Sequence, residues 1–171
     1  MDHQSGKAEP QRTVCQTGVV PFRRSQTAIE FCLITGRRSR RWGFPKGRIG
    51  EKTSLQDAAL SEAWEEAGLS GIIVGPPLGQ YDYRKKGKEH QVVTWLMQVH
   101  ASSPTWKESA ERSRQWVSLD RGFVLIDRPR LAELLALAVK RIADVGPMPA
   151  VLFPSLDVSQ IAEFRRSSSQ N

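Results

Sequence analysis

Residues 47–69 read GRIGEKTSLQDAALSEAWEEAGL, and within them Glu62, Glu65 and Glu66 repeat at i, i+3, i+4. That spacing predicts a helix over residues 54–67, with Gly68 ending it as a glycine beyond the last turn commonly does. At 3.6 residues per turn the three carboxylates fall within about 100° of one helix face. Like charges this close repel, so the arrangement costs stability unless a cation offsets it. Leu60, Ala63, Trp64 and Ala67 lie on the other face and can anchor the helix to a sheet. Ala58 and Ala59 beside the carboxylates are small enough to leave room for a metal and a phosphate. Thr53 with Gln56 fits a capping box at the helix start, and Ser54 with Asp57 is a shifted alternative. Taken alone, an ExxEE triplet is more simply a solvated acidic face.

The preceding loop changes that weighting. Residues 42–49, WGFPKGRI, hold two glycines and a proline and exclude a regular helix. Gly47 permits close backbone approach, and its carbonyl is a candidate metal ligand. Lys46 and Arg48 bring cations to the acidic triplet. Cations to hold phosphate, beside carboxylates to hold a hard divalent ion, suit metal-assisted phosphate chemistry.

Outward from this junction the chain alternates strand and helix signals. Strands are predicted at residues 13–22, 28–35, 72–74, 79–84, 91–100 and 115–118, and a second helix at 130–144 with a stripe of Leu131, Leu134, Leu135, Ala138 and Val139. Strands mixed with two helices, without strict βαβ repetition, give an α/β (α+β) class: a mixed β-sheet sandwiched between helices. Residues 12–145 form one domain, residues 1–11 a flexible leader, and 146–171 an extension whose polar end, 165–171, is also expected to be flexible. The 171 residues suffice for a core without disulfides, and Cys15 and Cys32 read as free buried thiols. No apolar run approaches bilayer length and no secretory signal is visible, so a cytoplasmic location is expected, with no membrane partner.

Lys and Arg total 25 against 18 acids, a net charge of +7. Between residues 23 and 48 lie eight basic residues (Arg23, Arg24, Arg37, Arg38, Arg40, Arg41, Lys46, Arg48) and one acid, Glu30. Arg84, Lys85, Lys86 and Lys88 form a second group. Such a supply suits a small substrate carrying many phosphates, since arginine clamps phosphate with paired hydrogen bonds. Solvated surface charge is the plainer alternative for any single arginine. A single-strand nucleic-acid binder interleaves aromatics with its cations, and residues 37–41 and 84–88 contain none, so nucleic acid is not the favoured partner.

Residues 47–69 resemble the Nudix box, Gly-x5-Glu-x7-Arg-Glu-U-x-Glu-Glu-x-Gly-U with U aliphatic. Gly47, Glu62, Glu65, Glu66, Gly68 and Leu69 match it, with Ala63 a small U. Thr53 and Ser61 stand where the box has Glu and Arg, a pair that in the family supports the box more than it holds metal. Glu51 is a partial substitute for the missing acid. The WGFPKG loop is similar to that of Nudix enzymes acting on dinucleoside polyphosphates and diphosphoinositol polyphosphates, and residues 84–99, 104–109 and 114–117 are similar to the diphosphoinositol polyphosphate phosphohydrolases. The resemblance implies the Nudix fold and an enzyme that hydrolyses a phosphoanhydride in a highly phosphorylated small molecule. The implied ion is Mg²⁺, with Mn²⁺ as substitute, on Glu62, Glu65, Glu66 and the Gly47 carbonyl. Glu62 or Glu66 is the base. Arg37, Arg38, Arg41, Lys46, Arg48, Arg84 and His90 are the candidate substrate contacts. Alternatives are a nucleoside triphosphate or RNA 5′-end pyrophosphohydrolase, and a Nudix domain that only binds a phosphorylated ligand.

Overall fold

The computed structural model describes residues 13–25 and 27–146; the flexible ends expected at 1–11 and 165–171 lie outside them. The chain runs β1 (Val14–Arg24), β2 (Ile29–Thr35), β3 (Trp42–Gly43), β4 (Lys46–Arg48), α1 (Leu55–Ala67), β5 (Leu69–Ile73), β6 (Gly79–Lys85), β7 (Lys88–Ser102), β8 (Arg114–Val117), α2 (Leu119–Leu125) and α3 (Pro129–Val145). The central path is β3-β2-β1-β7-β5, with β4 added to β1, β6 to β7 and β8 to β2. β1 and β7 run parallel, and the other pairings are antiparallel. The expected mixed sheet between helices is what forms.

Both faces of the central strands are covered, which is why they read as near-continuous apolar runs. Val20, Phe22, Phe31, Leu33 and Leu96 point into a cluster with Leu131, Leu134, Leu135, Ala138 and Ile142 of α3. Val19, Cys32, Ile34, Trp95 and Met97 point the other way, onto Ala59, Ala63 and Ala67 of α1. Burying each large aliphatic of α3 is worth roughly 1.5–3 kcal/mol, and Ile142 extends the predicted stripe by a turn.

The α1 face differs from the expected one. Ala58 and Ala59 are buried, Ala59 within the apolar cluster, so they set a close helix–sheet approach rather than leave open space beside the carboxylates. Leu60 and Trp64 are only half-buried. The cap is also corrected. Ser54, not Thr53, is the N-cap; its Oγ accepts from the Asp57 N–H at 3.0 Å and donates to Asp57 Oδ2 at 2.7 Å. Residues 51–52 form a turn with Lys52 at φ +59°, and the cap falls one residue past Thr53. Cys15 is exposed, contrary to expectation, because it lies near the start of β1, whereas Cys32 is buried mid-strand. α2 escaped prediction, being short and started only by a Ser118 cap. Among the described residues, no helix is long and apolar enough to cross a membrane.

Candidate active site

The loop–helix junction closes because β4 pairs with β1. Lys46, Gly47 and Arg48 face Gly18, Thr17 and Gln16, and α1 returns over them. Lys46 donates its backbone N–H to Glu66 Oε2 at 3.0 Å, fixing the last box glutamate to the loop. Gly47 lies against Glu62, and a Cβ there would overlap the Glu62 carboxylate. The glycine thus makes room for the Glu62 carboxylate where it lies, since its backbone is not among the left-handed positions. Gly68 does need its left-handed φ of +63°, and its N–H closes α1 on Ala63 and Trp64 carbonyls.

The three glutamates have distinct surroundings. Glu66 is nearly buried and pairs with Arg112. Glu65 pairs with Lys107, and the Ser61 hydroxyl lies 3.5 Å from Glu65 Oε1. Glu62 has no such partner among the hydrogen bonds and ion pairs of the described residues. Burial, with Glu66, Glu65 and Glu108 nearby, pushes its carboxyl up to about 7. Burial also raises Glu66, against the lowering pull of Arg112 and the Lys46 N–H. Of the three glutamates, Glu62 is thus the one whose negative charge is opposed by its surroundings without an ion-pair partner among the described residues.

These donors suit a hard divalent cation. All are carboxylates, and the repulsion on Glu62 is what a cation relieves. As the side chains lie, no three His, Cys, Asp or Glu groups among the described residues already converge as a ligand set.

Lys46 links the carboxylates to an aromatic wall. Its Nζ lies 5.1 Å from the Tyr83 ring centre, and burial lowers its pKa despite Glu66. Tyr83 stacks on His90 at 4.8 Å and donates to Gln16 Oε1 at 2.6 Å. His90 is 9% exposed, and its Nδ1 is buried without a hydrogen-bond partner. Burial and the cations Lys46, Lys85 and Arg48 lower its pKa, so the ring is neutral at neutral pH.

The remaining candidate arginines are spread more widely. Arg37 pairs with Glu108 at 3.4 Å and Glu111 at 3.6 Å. Arg41 pairs with Asp127 at 2.7 Å, and Arg84 with Glu89 at 2.8 Å. Arg38 and Arg48 are exposed, Arg48 on β4 next to Gly47.

Sequence reasoning missed Arg112 and gave Glu108 no site role. Arg112 Nε donates to Glu108 Oε2 at 2.5 Å and Nη1 to the Thr35 carbonyl at 2.9 Å. The i, i+4 spacing of Glu108 and Arg112 was the available signal, but the contact of Arg112 with Glu66 spans 46 residues.

Comparison with known proteins agrees with this fold. Nudix hydrolase 4 of Arabidopsis thaliana is 31% identical over 115 residues, covering 60% of this chain and 54% of its own length, so the chain spans about half of that relative. Diphosphoinositol polyphosphate phosphohydrolase 3-alpha of Mus musculus is 26% identical over 117 residues, covering 66% of this chain and 70% of its own. The crystal structure of a C. elegans Ap4A hydrolase binary complex superposes with a TM-score of 0.68 at 24% identity, covering 77% of this chain and 98% of that one. The NUDIX domain model matches residues 15–138, nearly the whole described fold, and the chain belongs to the NUDIX domain family.

Proposed function

We propose that this protein is a Mg²⁺-dependent hydrolase of a phosphoanhydride bond in a highly phosphorylated small molecule, a diphosphoinositol polyphosphate or a dinucleoside polyphosphate. The observation that carries it is the loop–helix junction itself, where Glu62 lies against Gly47 and Glu66 accepts the Lys46 N–H, with Glu65 on the same helix close enough to raise the Glu62 carboxyl. A bound Mg²⁺ would supply charge neutralisation at the phosphates and an acidified water. Glu62, Glu65, Glu66 and the Gly47 carbonyl would hold it. Glu62 or Glu66 would take the proton from the attacking water.

Lys46, Arg48 and His90 would receive the phosphates nearest the carboxylates, and Arg37, Arg38, Arg41 and Arg84 those farther out. A polyanion would compete with Glu108, Glu111, Asp127 and Glu89 for three of these arginines, at small cost because the pairs are mostly exposed. The mouse and nematode relatives, by their names, act on the two proposed substrate classes. A second reading, a domain that binds such a ligand without cleaving it, is favoured by the replaced box residues Thr53 and Ser61.

The test is a substrate panel with Mg²⁺ at mildly alkaline pH: inositol pyrophosphates, dinucleoside polyphosphates, nucleoside triphosphates and capped RNA. Turnover of either of the first two, falling on the order of 10²-fold or more in Glu66→Gln, is the expected result. Turnover of nucleoside triphosphates alone refutes the substrate assignment. Tight binding without turnover of any of them establishes the second reading.

A further inference from the structure

Ser61 and Thr53 leave α1 without an internal cation beside its carboxylates, yet Glu66 is not left without one. The 103–113 segment brings Arg112 to it from outside the helix. The Arg112 side chain is 10% exposed and bonded through three nitrogens: Nε to Glu108, Nη1 to the Thr35 carbonyl and Nη2 to Glu66 Oε1. A planar guanidinium fixed at three edges retains almost no torsional freedom. Glu66 takes one donor on each oxygen, Arg112 on Oε1 and the Lys46 N–H on Oε2. That fixes the carboxylate plane and leaves a lone pair on each oxygen for another partner.

We infer that Arg112 is a positioning residue for Glu66, replacing from outside the box the arginine that Ser61 lacks. The inference rests on the metal-dependent reading above. An opposing role is conceivable from the same contact: Arg112 could be a counter-ion that an incoming metal displaces. The surroundings argue against displacement. Glu108 balances the guanidinium independently of Glu66. The segment is also tied down along its length. The Glu108 N–H donates to the Glu65 carbonyl at 3.2 Å, and Arg40 Nη1 to the Glu111 carbonyl at 2.8 Å. Arg114 donates to the Ala67 and Ser103 carbonyls at 2.6 and 2.9 Å and stacks on Trp106 at 4.4 Å. Arg112 is thus built into the end of α1 rather than resting on it.

The two roles predict opposite signs for metal affinity. Removing a displaced cation makes the site more negative and tightens divalent binding. Removing a positioning residue frees Glu66 and weakens it. The experiment titrates Mn²⁺ into the purified full chain by calorimetry and by EPR of the free ion, on wild type, Arg112→Ala and Arg112→Lys, with circular dichroism to establish folding. Mn²⁺ affinity is expected to fall about 10- to 100-fold in Arg112→Ala, the usual range for residues that orient metal ligands. Arg112→Lys, which keeps the charge but not the fork, falls in between. Adding Thr53→Glu and Ser61→Arg to Arg112→Ala, which returns the pair to the box, recovers most of the loss; a merely structural Arg112 would not be rescued from that position. Unchanged or tighter Mn²⁺ binding in a folded Arg112→Ala overturns the inference while leaving the hydrolase reading intact. If Arg112→Ala does not fold, the comparison is made on Arg112→Lys with and without the box pair, with the same criterion. Absence of Mn²⁺ binding by wild type overturns the metal reading, and the inference with it.

Discussion

Glu62→Gln should make the metal-free protein more stable while removing a metal ligand. In the folded chain the Glu62 carboxyl is pushed up to about 7, against 4.5 for an ordinary glutamate. At about 1.4 kcal/mol per pH unit the gap corresponds to ~3 kcal/mol. The carboxylate is only half-buried, so solvent screening reduces this to about 1–2 kcal/mol. The direction follows from proton counts. Between pH 4.5 and 7 the folded protein keeps a proton that the unfolded chain has released. Wild-type stability therefore falls as pH rises through that window and levels off above it. Gln cannot ionise and keeps the shape. In EDTA at pH 8, urea unfolding should place Glu62→Gln about 1–2 kcal/mol above wild type, and the difference should shrink toward zero by pH 4.5. Mg²⁺ should then stabilise wild type by mass action and the variant much less, reversing the order. A variant no more stable than wild type at pH 8 refutes the claim of like-charge and burial strain. A difference that persists undiminished at pH 4.5 assigns the gain to something other than ionisation.

Three further outcomes follow from the same contacts. Gly47→Ala displaces only the flexible end of Glu62, so stability should change by no more than about 1 kcal/mol, while turnover of the panel substrate drops about 10²-fold; a large fall in Tm with activity retained would contradict this. Ser54→Ala should cost about 1 kcal/mol in urea unfolding and Thr53→Ala less than about 0.5 kcal/mol, the reverse of what a Thr53 cap requires. A thiol reagent should label exposed Cys15 in the native protein at pH 8, but Cys32 only after unfolding, because burial closes access to it and raises its thiol to about 12; two fast-reacting thiols would refute that burial.

What could be read in the sequence was whatever repeats locally. The i, i+3, i+4 glutamates gave α1 and its acidic face, and the apolar runs of β1, β2 and β7 gave a sheet covered on both sides. The cap moved by one residue because Lys52 turns through a left-handed φ, a choice among neighbouring hydroxyls that composition does not encode. Ala58 and Ala59 were misread because small residues serve equally for open space and for close packing, and only the position of the sheet decides between them. The arginines near the site show the same limit on the electrostatic side. Counted along the chain, those between residues 37 and 41 dominate, yet Arg37 and Arg41 meet acids brought from 108–127. Arg112, separated from its glutamate by 46 residues, is the arginine that pairs with a box carboxylate. The replaced pair Thr53 and Ser61 reads as a defect only while support is sought within the helix. In three dimensions a carboxylate needs a donor at the right place, and β4 and the 103–113 segment both supply one to Glu66. A motif with missing supporting positions is therefore judged better by the hydrogen bonds on its remaining carboxylates than by the number of letters that match.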